Sequence, residues 1–222
     1  MDTYKYDNPT ITEDPHPSRR LRVLARFFSV LFHPLLIGAY VFAFLIYIHP
    51  AAFEGFDERT KNLRMLSMLL FTVFFPAFSL FLAWRLKLVK SLSLNNRSDR
   101  LVGFLVSMFF YFWASYVFWN LPDTPPVAAH FVLGIFIAVC GAWMCTIFYK
   151  ISIHAVAMGG LMTFFILFGI QDPFVSGLYL TLPVLIAGIV CSSRFMLGAH
   201  NRFEMVTGFF VGVIGQCLAW LF

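Results

Sequence analysis

Three short polar islands interrupt an otherwise apolar chain, and their residue types are those that handle phosphate. The first, Lys90-Ser-Leu-Ser-Leu-Asn-Asn-Arg97, carries two cations seven positions apart. Lysine offers a point charge and arginine a planar fork for two oxygens; a basic loop of this kind also serves simply to orient a protein in a bilayer. The second is Lys150-Ile-Ser152-Ile-His154. A hydroxyl and free amides at a helix start can hold an anion, and a histidine beside them can hand over a proton near neutral pH. The same residues read equally as a helix cap with an interfacial histidine. The third runs from Ser193-Arg194 through His200 to Glu204. On a helix His200 and Glu204 share a face, so the carboxylate can accept the imidazole N–H and leave the other nitrogen as a nucleophile. Arg194 can neutralise phosphoryl oxygens during attack. A salt-bridged cap is the alternative, although ionisable groups this close to a bilayer are costly and usually functional.

The elements that must position these islands are membrane helices. The chain is 60% hydrophobic and only 12% charged, against roughly 25% charged in soluble proteins, so water is not its main solvent. Seven apolar segments can be marked, near 24–48, 65–88, 101–121, 127–149, 154–170, 176–194 and 204–222. Each crossing takes about 20 apolar residues, and unpaired backbone groups in lipid force each into a helix. The expected fold is all-α, an integral membrane helical bundle with six or seven transmembrane helices. Residues 1–20, with three prolines and four acidic residues, read as a flexible polar tail; residues 21–222 form a single transmembrane domain. The first apolar run, from Leu24 to Ile48, reads as a span rather than a cleavable signal.

Alternate crossing delivers all three islands to one side, here called face A, together with the amino terminus. Of the 16 Lys and Arg, only Arg59, Lys61 and Arg64 fall on the opposite face B, which leaves 13 on face A. The positive-inside rule then makes face A cytoplasmic. Setting aside Lys90, Arg97, Lys150 and Arg194 as candidate site residues still leaves nine against three. The four arginines before the first span keep the amino terminus inside. The net charge of +5 suits an anionic membrane surface or lipid phosphate, and no soluble basic module exists to grip a nucleic acid.

In order and spacing, the islands resemble the type 2 phosphatidic acid phosphatase superfamily, whose signature runs Lys, six residues, Arg-Pro; Pro-Ser-Gly-His; and Ser-Arg, five residues, His, three residues, Asp. Lys90 and Arg97 fit the first motif, Ser152 and His154 the second, and Ser193, Arg194, His200 and Glu204 the third. The resemblance implies a membrane lipid phosphatase of the bacterial inner membrane, acting on a lipid phosphate monoester or pyrophosphate without metal or cofactor. His200 would attack phosphorus to form a phosphohistidine, Glu204 would orient it, and His154 would protonate the leaving lipid oxygen. Lys90, Arg97, Ser152 and Arg194 would cradle the phosphate, with Lys150, Ser193 and His33 as further pocket residues. Enzymes of this superfamily in bacterial membranes generally face the periplasm, which opposes the charge count. Four positions depart from the signature: Ser98 and Ile151 replace prolines, Ile153 replaces the glycine, and Glu204 replaces the aspartate. Glycine permits close ligand approach that a β-branched residue resists, so Ile153 supports a rival reading: a non-catalytic lipid-phosphate-binding or scaffolding membrane protein. A small-solute transporter would want broken helices in matching halves, which the sequence does not show.

His33, in Phe32-His-Pro34, either borders the pocket or bonds to a neighbouring helix; His16, His49 and His130 lie away from the islands. Gly159-Gly160 and the Gly208 to Gly212 spacing read as surfaces for close helix packing. The four cysteines sit inside apolar segments and read as small buried hydrophobes.

Overall fold

The computed structural model describes residues 18–222 except Ser93, Asn95, Pro173, Val175 and Ser176. The expected polar tail therefore lies outside the described residues up to position 17. The chain folds as an all-α bundle, with no strand among the described residues.

Six helices are long and apolar enough to cross a membrane. The first is continuous through α3 (Glu58–Leu69), a π-helical turn (Leu70–Phe74) and α4 (Phe75–Arg85). The others are α5 (Arg97–Asn120), α6 (Pro126–Phe148), α7 (Ile153–Gln171), α8 (Gly177–Met196) and α9 (Arg202–Ala219). These match the last six apolar segments of the sequence. Local chemistry starts them: Asp57 accepts from the Thr60 amide, Ser152 from Ala155 and Asn201 from Glu204, each an N-cap that satisfies an orphan donor. Pro76 has no N–H to donate, and the helix widens into the π turn just before it. The carbonyl of Thr72, four residues earlier, instead accepts the buried Tyr111 hydroxyl at 3.4 Å.

The first apolar segment is not one straight span, as the sequence reading expected. It divides into α1 (Arg19–Leu31) and α2 (Pro34–Ala43, extended by a π-helical turn, Phe44–Ile48), with a bend of 61° between the two halves. The break lies at His33-Pro34. His33 is extended, with φ −64° and ψ 138°, because the residue before a proline is excluded from helical backbone. Its Nδ1 then caps α2 by accepting from the Leu35 amide.

Contacts at the helix ends bear out the alternation. On face A, Lys150 donates to the Ala199 carbonyl and the Ser152 amide to the Glu204 carbonyl. On face B, Arg64 pairs with Asp123 and His49 with Asp172. A plug of aromatic rings fills the half of the bundle towards face B. Phe42 packs edge-on to Phe118 at 4.9 Å between ring centres, and Phe131 lies 4.7 Å from Phe164. All four are essentially fully buried. The half towards face A is not filled, and the candidate site lies there.

The packing of α7 against α9 is set by glycine. A Cβ on Gly159 would stand 2.0 Å from the Phe209 carbonyl oxygen, and one on Gly212 would stand 2.0 Å from that of Val156. Only hydrogen fits at such separations, so the two backbones meet directly. The packing surfaces expected from the glycine spacing are thus real.

Candidate functional site

Below face A lies a cavity of about 680 Å³. Its upper wall carries Arg100, Lys150, Arg194, His33, His154 and His200, and its lower wall is largely apolar, descending past Ile135 and Leu161 to Phe131. A cationic mouth above an apolar chamber suits a ligand with an anionic head and a hydrocarbon tail.

His200 sits in the turn between α8 and α9. Its Nδ1 lies 2.7 Å from Glu204 Oε2, and since a carboxylate only accepts, Nδ1 carries the hydrogen in the neutral ring. Nε2 is therefore the nitrogen left with a lone pair. Glu204 is itself fixed, because Asn201 accepts its amide at 2.8 Å and donates to Oε1 at 3.4 Å. Burial pushes the His200 imidazole down from the usual histidine range to about 4, and the nearby Lys150 and Arg194 push the same way. The hydrogen bond and charge of Glu204 pull upward but do not outweigh burial. His200 is consequently neutral at physiological pH, the state in which Nε2 can attack.

His154, in the first turn of α7, has the complementary arrangement. Its Nε2 donates to the Ser29 carbonyl on α1 at 3.1 Å. Nδ1 is buried with no partner among the described residues. A buried, unpaired nitrogen on a cavity-lining ring is costly unless a ligand or water meets it. The ring also packs edge-on to His33 at 5.6 Å between centroids. Because His33 Nδ1 accepts from Leu35, the neutral His33 ring keeps its hydrogen on Nε2 as a spare donor.

Of the residues singled out in the sequence, His33, Lys150, His154, Arg194 and His200 line this same cavity, although they come from three separate stretches of chain. Arg194, in the last turn of α8, has a buried Nε without a partner among the described residues. Glu204 stands behind His200 rather than in the wall. The expected convergence of all the candidates is incomplete, and four lie elsewhere. Ser152 is fully buried as the cap of α7, its hydroxyl accepting from Ala155. Ser193 is buried in α8 outside the cavity lining. Lys90 and Arg97 are exposed and are not part of the wall.

The cation that reaches the cavity from α5 is Arg100, one helical turn beyond Arg97. It donates to the Ile151 carbonyl, tying α5 to the turn that leads into α7. Its Nε is buried and unpartnered among the described residues. The sequence Arg97-Ser-Asp-Arg100 contained the signal, since a second arginine three positions on shares the same helix side. Which of the two turns inward depends on packing. Ile153, at the position of the expected glycine, also lines the cavity.

Comparison with protein-family models, with curated proteins and with solved structures finds no match for this chain.

Proposed function

We propose that this protein hydrolyses a phosphate monoester or pyrophosphate on a membrane lipid, through a phosphohistidine formed on His200. The observation that carries the reading is the pairing of a carboxylate-held, neutral His200 with a cationic mouth over an apolar chamber. The lipid tail occupies the chamber, while Arg100, Lys150 and Arg194 neutralise the phosphoryl oxygens. His200 Nε2 attacks phosphorus and the bond to the lipid oxygen breaks. His154, protonated on Nδ1, gives that proton to the departing oxygen. Water then attacks the phosphohistidine while His154 Nδ1 accepts its proton. The products are the lipid alcohol and inorganic phosphate, or a lipid monophosphate and inorganic phosphate from a pyrophosphate. The spacing of the three motifs, which resembles the type 2 phosphatidic acid phosphatases, supports the same assignment.

The excess of Lys and Arg on face A supports an amino terminus in the cytoplasm, and a bacterial inner membrane follows from the resemblance. With α2 as a crossing of its own, the site opens on the same side as the amino terminus. Phosphate release from a panel of phosphatidate, phosphatidylglycerol phosphate and polyprenyl pyrophosphate by the purified protein in detergent tests the activity. A specific observation favours the rival: Ile153 puts a branched side chain into the cavity where the motif has glycine. Tight binding of one of these lipids with no phosphate release would establish a binding protein instead.

A further inference from the structure

The helix before the first crossing is built unlike the others. α1 has 13 residues, and a crossing by it is not needed. α2 and its π turn already run the depth of α7, because His33 packs on His154 at one end and His49 packs on Phe168, 4.9 Å between centroids, at the other. With a bend of 61° from α2, α1 advances only about 9 Å along the bundle axis over its whole length.

Its residues divide into three arcs at 100° per position. Ala25 and Ser29 form the narrow buried arc, with Ser29 contributing the carbonyl that holds His154. Arg19, Arg22 and Arg26 fall together on a second arc, and all are exposed. Val23, Leu24, Phe27, Val30 and Leu31 fall on a third and are all exposed, Val23, Phe27 and Val30 at 59%, 57% and 71%. Arg20 alone lies within the apolar arc, in the first turn, where a long side chain can reach back to the interface. A short helix with one cationic and one apolar exposed arc is what lies in a membrane surface rather than through it.

We propose that α1 is an interfacial helix seated on anionic lipid headgroups at face A, with Arg19, Arg22 and Arg26 on the phosphates and Val23, Phe27 and Val30 among the upper acyl carbons. Charge complementarity selects an anionic leaflet. The proposal is independent of catalysis. Through Ser29 this seating also holds the His154 ring in place.

Spin labels placed singly at Arg22, Val23, Arg26, Phe27 and Val30, in the full chain with its four cysteines replaced, read the arrangement directly. The probes are vesicles of phosphatidylcholine with or without phosphatidylglycerol, relaxed by oxygen or a water-soluble nickel chelate. In anionic vesicles, labels at 23, 27 and 30 should favour oxygen at shallow depth, and those at 22 and 26 should favour nickel. In pure phosphatidylcholine, or with Arg19 and the unlabelled arginines of that arc changed to glutamine, the contrast should shrink at least severalfold. Depth increasing steadily along α1 to mid-bilayer would make it part of a span and overturn the proposal. So would nickel access at all five positions, or a contrast indifferent to lipid charge. Correct folding is checked in the same samples by retention of the helical circular dichroism signal, and all five positions are exposed, so labelling leaves the core intact.

Discussion

The Nδ1–H of His200 donates to Glu204 Oε2 across 2.7 Å, so a histidine in the turn before α9 takes its tautomer from a carboxylate in the first turn of that helix. Glu204 is also in the position where an acidic side chain favours the helix dipole, and its orientation by Asn201 makes the pair rigid. The extra methylene relative to aspartate is accommodated, because the contact is short. The tautomer so imposed aligns the free lone pair with the role of a nucleophile, and four predictions follow from this site and the packing that supports it.

Titration of His200 is the most direct. Its pKa lies near 4, well below the ordinary value of about 6.5. The neutral nucleophile should therefore persist as pH falls through 6.5, and a limb of activity assigned to it should appear only nearer pH 4. The sign for stability is the same: between pH 6.5 and 4 the unfolded chain takes up a proton that the folded chain refuses, so stability falls across that window on acidification. NMR of selectively labelled histidine reads the value, and titration at or above 6.5 would remove this account. Glu204→Gln, which deletes the upward pull, should lower it further and slow formation of the phosphohistidine by about tenfold to a hundredfold.

Arg100 and Arg97 can be separated by substitution. Arg100→Gln should weaken binding of inorganic phosphate or vanadate and lower kcat/KM by about a hundredfold, as loss of a charge-stabilising donor commonly does. Arg97→Gln should change either by less than about threefold, since an exposed cation is screened by water. Equal losses at both positions would mean that Arg97 reaches the phosphate after all.

Gly212→Ala should be destabilising by about 1–3 kcal/mol or prevent folding, as forced overpacking does, because its Cβ would meet the Val156 backbone. Gly188→Ala is the control: nothing lies within 4 Å of a Cβ there, and α8 should tolerate it or gain slightly in helix propensity. Thermal unfolding in detergent, followed by circular dichroism, compares the two.

Sidedness can be read at Asn96, exposed at the start of α5. In a protein whose native cysteines are replaced, Asn96→Cys should resist a membrane-impermeant thiol reagent in intact cells and react after permeabilisation. Labelling of intact cells would put face A, and the cavity mouth, outside.

What the sequence alone determined is what short-range physics dictates. Lipid cannot satisfy unpaired backbone, so length and apolarity were enough to locate six spans, and the cap at Ser152 places the start of α7. The pairing of His200 with Glu204 was legible because the two are only four positions apart, although His200 lies just before α9 rather than on a helix as the sequence suggested. Even the break at His33-Pro34 was written locally, although the length of the apolar run masked it. Tertiary structure decided everything that required two distant helices to meet. Whether Arg97 or Arg100 faced inward turned on the rotation of α5 against α6 and on the bond from Arg100 to the Ile151 carbonyl. Ser152 became a buried cap instead of a phosphate ligand because the turn before α7 packs beneath the backbone of Glu204. The approach of α7 to α9, which brings His154 and His200 to one cavity, rests on glycine contacts whose partners lie about 50 residues away in the chain. No local pattern encodes such a meeting, because its free energy belongs to the interface and exists only once both helices are formed and facing.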